Sequence, residues 1–149
     1  MKLAEALLLR SDLQKKIEHL QHRIYPVLII SEGKTPQEDP VELLAKLRET
    51  ISKFEELVIR INKTNNQTEI EGEGILMVAL AKRDSLKMLS EKLRNIRQSS
   101  QINNQSNITN LRSTIDIKKL QIEIDQTGRA FREIDSKIQE LNWLTQLID

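Results

Sequence analysis

Residues 120–144 read LQIEIDQTGRAFREIDSKIQELNWL, in which Leu120, Ile124, Thr127, Phe131, Ile134, Ile138 and Leu141 recur at alternating intervals of four and three residues. That spacing keeps one face of an α-helix apolar over many turns, with Leu144 slightly off register. A helix of about 30 residues is about 45 Å long, more than a compact monomer of this size needs. Side-by-side packing of such rods follows.

Three further seams lie upstream. Leu3, Ala6, Arg10, Leu13, Ile17, Leu20, Ile24 and Val27 share a face of a first helix, which Pro26 should bend or end near Arg23 or the last turn. Ser31 to Pro40, with Gly33 and Pro36, is a polar connection suited to an antiparallel return. Asp39-Pro40-Val41-Glu42 marks the next helix start: Asp39 caps, Pro40 suits the first turn, and Glu42 stands at the reciprocal capping position. Leu44, Leu47, Ile51, Phe54, Val58 and Ile61 form the second seam, widened by Leu43, Leu57 and Ile59. The polar interval Asn62 to Glu73 is expected to end that helix, with Gly72 and Gly74 supplying backbone freedom. A third helix from about Ile75 to Gln98 carries Leu76, Ala79, Leu80, Arg83, Leu86, Leu89, Leu93 and Ile96. Gln98 to Asn110 reads as a loop or short hairpin, and Leu111 to Ile117 alternates like a strand, although Asp116 also suits the cap of the last helix. The expected fold is all-α: an antiparallel bundle of four long helices in a single domain, residues 1–149, with room for a short strand or hairpin before the last helix.

Composition agrees. Only Tyr25, Phe54, Phe131 and Trp143 are aromatic, so the core must be built from the 21 leucines and 19 isoleucines. Four glycines and three prolines argue against a turn-rich sheet protein. The absence of cysteine excludes disulfides, thiolate catalysis and cysteine-bound zinc. A net charge of +1 makes the whole chain neither polyanion nor polycation. The run Val27-Leu28-Ile29-Ile30 is far shorter than the roughly 20 residues that cross a bilayer. Met1 to Arg10 lacks the long apolar region of a signal peptide. The expectation is a cytoplasmic protein without membrane insertion. Spare apolar residues, Leu8, Leu9, Leu57, Ile59, Ile122 and Leu147, point to a homo-oligomer or to an unidentified protein partner.

Candidate chemistry is sparse. Arg10 and Arg83 interrupt apolar stripes and demand partners if buried; Asp12, Asp84 or a carboxylate of another helix would serve, with Arg10 to Asp84 one bridge. Register specification or snorkelling explains the same residues. Asn62, Lys63 and Thr64, opening a run of amides and hydroxyls to Thr68, are suited either to an anion or to ordinary capping. Together Arg10, Asp12, Asn62, Lys63, Thr64, Arg83 and Asp84 form the candidate polar binding or structural network. His19 and His22 are an incomplete metal pair, and Glu69, Glu71 and Glu73 lack a calcium-loop pattern. No catalytic residue, metal ligand or cofactor is assigned. Lys82, Arg83, Lys87, Lys92, Arg94 and Arg97, against Asp84 and Glu91, give the third helix a net +4, which supports nucleic-acid binding as one alternative function. A metal-dependent nucleotide or phosphoester hydrolase is another, although no clean pair of acidic motifs faces it. Trp143 reads as a packing residue at the end of the last seam.

The opening Met1-Lys2-Leu3-Ala4-Glu5-Ala6-Leu7, Arg10 and Asp12-Leu13-Gln14-Lys15 resemble a bacterial family of small helical proteins, some labelled septicolysin. The resemblance extends through Glu38-Asp39-Pro40, Ile61-Asn62-Lys63-Thr64-Asn65, the stretch from Ala79 to Lys87, Ser113 to Ile117, and Asp135 to Trp143. Glu71 to Met77 and Pro26 depart from the family pattern. The resemblance implies one long-helix domain and transfers no catalytic residue. The leading expectation is a self-associating structural or protein-interaction protein.

Overall fold

The computed structural model describes residues 1–100 and 112–149. The protein is an all-α bundle of four long helices: α1 (Leu3–Ile24), α2 (Pro40–Gln67), α3 (Leu76–Ser99) and α4 (Ile117–Leu144). A two-stranded antiparallel hairpin, β1 (Glu69–Ile70) and β2 (Gly74–Ile75), stands between α2 and α3. The chain divides into two compact units, Met1–Thr68 with Asn142–Asp149, and Glu69–Leu141.

In the first unit α1 and α2 are antiparallel. Leu20, Ile24 and Val27 at the end of α1 pack on Leu43, Leu44 and Leu47 at the start of α2. Pro26 lies where expected: the α-helix stops at Ile24 and continues as one 3-10 turn, Tyr25–Val27. Gly33 takes a φ of 81° in the connection, a left-handed conformation natural to glycine. Arg23 grips Glu38 through both its Nε and Nη2 groups, tying α1 to the residue before the cap. Asp39 caps α2, its Oδ1 accepting the Val41 N–H at 2.8 Å. Glu42 is in the first turn but makes no return bond to Asp39 among the described residues.

The register of the second seam differs from the expected one. Leu43, Thr50, Leu57 and Thr64 are buried at intervals of seven, with Leu47, Phe54 and Ile61 between them, while Ile51 is exposed. Thr50 and Thr64 enter the interior because each hydroxyl donates to a carbonyl one turn back, to Lys46 O at 2.7 Å and Arg60 O at 2.8 Å. A satisfied hydroxyl behaves in a helix core much like a methyl-bearing side chain. The same slip occurs on α3, where Ser90 is buried and Leu89 and Ile96 are exposed. The regular seam is Leu76, Ala79, Arg83, Leu86, Ser90, Leu93 and Arg97. Of the apolar residues taken as spare, Leu57 and Leu147 are buried, whereas Leu8, Leu9, Ile59 and Ile122 are exposed.

Asn62 does not end α2, which runs to Gln67 before the hairpin turns on Gly72 (φ 78°) and Gly74 (φ 83°). The hairpin therefore replaces the polar loop expected there. Residues 112–116 contain no strand; Asp116 instead caps α4, its Oδ1 accepting from the N–H groups of Lys118 at 3.0 Å and Lys119 at 3.1 Å. The loop or hairpin assigned to Gln98–Asn110 falls mostly outside the described residues. In the second unit Leu93 packs on Leu120 and Ile124. Arg83, nearer the start of α3, reaches Asp135 further along α4, so this pair is also antiparallel.

Candidate functional site

The residues of the candidate network take up three separate roles. At the end of α2, Arg60, Lys63 and Thr64 lie within about one turn and hold the segment 145–149. Thr64 is fully buried, and its Oγ1 accepts the Ile148 N–H at 3.0 Å while donating to Arg60 O. Arg60 donates from Nε to Ile148 O at 3.1 Å and from Nη2 to Asp149 Oδ1 at 2.6 Å. Lys63 Nζ reaches Asp149 O at 3.4 Å. Asn62 is exposed. The segment is held from the other side by the first residues: Leu3 N–H bonds Thr145 O at 3.0 Å and Leu147 N–H bonds Met1 O at 3.0 Å, on either side of an antiparallel bridge between Lys2 and Gln146. Lys2 Nζ also donates to Leu144 O at 2.8 Å, a cation placed at the negative end of α4. Arg60, Lys63 and Thr64 thus serve as a clasp, in which Asn62 takes no part among the described residues. Sequence reasoning missed Arg60, whose position between Ile59 and Ile61 gives no sign of a partner 88 residues away.

On α1, Arg10 is half-buried with no ion pair among the described residues, and exposed Asp12 stands 3.9 Å from Lys15. On α3, Arg83 donates to Asp84 Oδ1 from Nε at 2.9 Å and Nη2 at 2.7 Å, and its Nη1 lies 3.7 Å from Asp135. With the guanidinium largely covered and two carboxylates beside it, this is a neutralised seam arginine. Arg10 belongs to the first unit and Arg83 and Asp84 to the second.

The acidic hairpin is also partnered. Lys82 Nζ donates to Glu73 Oε2 at 2.7 Å, a bond that lowers the Glu73 pKa from the ordinary glutamate value. Lys137 Nζ approaches Glu71 O at 3.5 Å. His19 and His22 are exposed, and the His22 ring meets Tyr25 edge-on with centroids 6.2 Å apart. Among the described residues no three His, Asp or Glu side chains are grouped as a metal site would require. Trp143 is exposed within the chain. A hollow of about 230 Å³ in the first unit has Met1, Leu9, Leu13 and Leu57 for walls, with Lys53, Glu56 and Arg60 also lining it. Beside Glu56, Lys53 and Arg60 its lining offers no hydroxyl, thiol or imidazole, and its volume suits an apolar side chain or a small ligand.

The arrangement is one of helix seams and clasps, and the relatives of the chain match it over its length. The model of a family of unknown function, DUF6847, matches residues 10–147. The chain belongs to that family. A solved member of the same structural class, described as a functionally unknown conserved protein from Corynebacterium diphtheriae, is 32% identical with a TM-score of 0.92, and the match covers 99% of each chain. No curated protein matches the chain. What the chain shares with the Corynebacterium diphtheriae protein is the whole fold. No helix among the described residues is long and apolar enough to cross a membrane.

Proposed function

We propose that the protein is a self-associating structural or protein-interaction module, working in the cytoplasm as one domain, and that a second copy of the chain covers its apolar surface. The supporting observation is the apolar cap at the α1–α2 connection. Tyr25, Leu28, Ile29 and Ile30 are all exposed there, Ile29 by 89%, and Val41 is exposed at the start of α2, at the same end of the helix pair. A single exposed leucine is ordinary, but a run of large apolar side chains around one turn is a surface in need of a partner. A net +1 on each chain offers little overall repulsion between copies. Two such caps can meet about a two-fold axis, each burying the other's isoleucines.

Sedimentation velocity over a range of concentrations tests this. The expected result is a mass above 17.3 kDa that falls to that value in Ile29→Glu, with helix content unchanged. A wild-type chain that stays at the single-chain mass at every concentration overturns the reading.

The basic residues of α3 support nucleic-acid binding as a second reading. Lys82 and Arg83 are engaged by Glu73, Asp84 and Asp135, which leaves Lys87, Lys92, Arg94 and Arg97 for phosphate contacts. Salt-dependent retention of the chain on DNA or RNA is its test.

A further inference from the structure

Two arginines of the second unit converge on one glycine. A Cβ built on Gly128 would lie 3.5 Å from Nη1 of Arg132 and 3.9 Å from Nη2 of Arg94. Gly128 is buried on α4, while Arg94 and Arg132 are exposed. Both guanidinium groups come down onto the same stretch of helix, one from α3 and one from the next turn of α4, with room left at position 128 for no more than a methyl group in ordinary contact. Like charges converging on one position repel unless something neutralises them. Neither arginine has a carboxylate within 4 Å among the described residues. Residues 101–111 contain no Asp or Glu that would supply one.

The contrast with the other end of the same helix pair sharpens the point. About three turns earlier on α3, Arg83 crosses to α4 and finds Asp135 at 3.7 Å. Arg94 makes the corresponding crossing and finds a glycine with a second arginine beside it. One turn further, the Nε–H of Arg97 is shielded from solvent without an acceptor among the described residues. Among the described residues, then, the helix pair carries a neutralised arginine at one level and, about three turns on, two exposed arginines with no carboxylate within 4 Å.

We propose that Arg94 and Arg132 bind a phosphate dianion, with Gly128 as the floor of the site. A guanidinium presents paired N–H donors in a fixed planar fork, and two forks from different helices need an acceptor with oxygens on more than one side. A tetrahedral phosphate provides them, and its two negative charges match the two arginines. A lone carboxylate has oxygens enough for one fork. The dianion is either free inorganic phosphate or the terminal group of a small phosphomonoester, since the exposed arginines leave room for a substituent to point outward. The site is independent of the apolar cap, which lies in the other unit.

The test uses the full chain, with arginine Nε–H resonances followed by NMR and affinities measured by calorimetry. Inorganic phosphate and phenyl phosphate are the two probes. Saturable shifts of Arg94 and Arg132 together are expected, with affinity falling about tenfold or more in Arg94→Gln and in Arg132→Gln and unchanged in Arg129→Gln. Tighter binding of phosphate identifies the free ion as the ligand; tighter binding of phenyl phosphate identifies the ester. Gly128→Asp, which supplies a built-in carboxylate, is expected to abolish binding of both probes while preserving the helical spectrum. The proposal is overturned if neither probe gives a saturable shift in the wild-type chain, or if Arg129→Gln weakens binding as much as the other two. It is equally overturned if a single-stranded oligonucleotide binds far more tightly than either probe and is unaffected by losing Arg94 or Arg132.

Discussion

Thr64 Oγ1 accepts the Ile148 N–H at 3.0 Å and donates its own hydrogen bond to Arg60 O at 2.8 Å, so one fully buried hydroxyl joins α2 to the segment that follows α4. Valine keeps the shape but leaves the Ile148 N–H without its acceptor. Thr64→Val should cost about 1–3 kcal/mol, the range for a buried donor left unmade. Denaturant unfolding would read the loss, and hydrogen exchange at Ile148 should quicken. Thr64→Ser should retain most of the protection.

Thr50 provides the contrast. It is as buried as a core leucine, yet its hydroxyl bonds only to Lys46 O within its own helix. Lys46 O keeps the ordinary helical N–H donor, so Thr50→Val removes a bond without orphaning a group. A change within about 0.5 kcal/mol of zero is expected from the same unfolding measurement.

Glu38 gives a pH dependence with a definite sign. The hydrogen bonds from Arg23 hold its pKa below the ordinary glutamate value, with Coulombic attraction from Arg23, Lys46 and His19 acting in the same direction and desolvation opposing. The folded state therefore binds that proton less readily than the unfolded one. Its contribution is fully present above the unfolded pKa, about 4.3, and disappears as pH falls through the lower folded value. Melting curves taken down through this window should show the wild-type chain losing more stability than Glu38→Gln, in which the titrating group is absent.

Gly128→Ala should raise stability. The added Cβ would meet the arginine nitrogens at ordinary contact distances, and an alanine in a helix interior gains about 0.5–1 kcal/mol over glycine. A higher melting temperature is the expected reading.

Because α4 runs unbroken from the second unit into the first at Asn142, heating should produce one calorimetric transition. Two separated peaks would show that the units unfold independently.

The four helices were legible because leucine and isoleucine at three- and four-residue spacing leave little else for the chain to do. Their register was harder to read. On α2 and α3 the eye follows Ile51, Leu89 and Ile96, but the buried positions are Thr50 and Ser90. Residue polarity misleads there because the Thr50 hydroxyl is satisfied within its own helix. Asp39 and Asp116 were readable as caps because a cap is local. The clasp was not, since nothing near Arg60 or Thr64 in sequence announces Ile148. Of the candidate network, Arg83 and Asp84 do come together and Lys63 and Thr64 do bind polar groups, but those groups belong to the chain itself. Arg94 was legible as one of the basic residues of α3, but its approach to Arg132 beside Gly128 was not, because a convergence across two helices leaves no pattern in either one.

The ribbon formed by Met1–Leu3 with Thr145–Leu147 brings the first and last residues to neighbouring positions on the surface of the first unit. A few glycines and serines would join them into a closed loop, and the polar connection between Ser31 and Asp39 offers a place to open it again. Circularly permuted versions, with new ends beside the apolar cap, could therefore carry a fluorophore or affinity handle next to Ile29 without rethreading any helix.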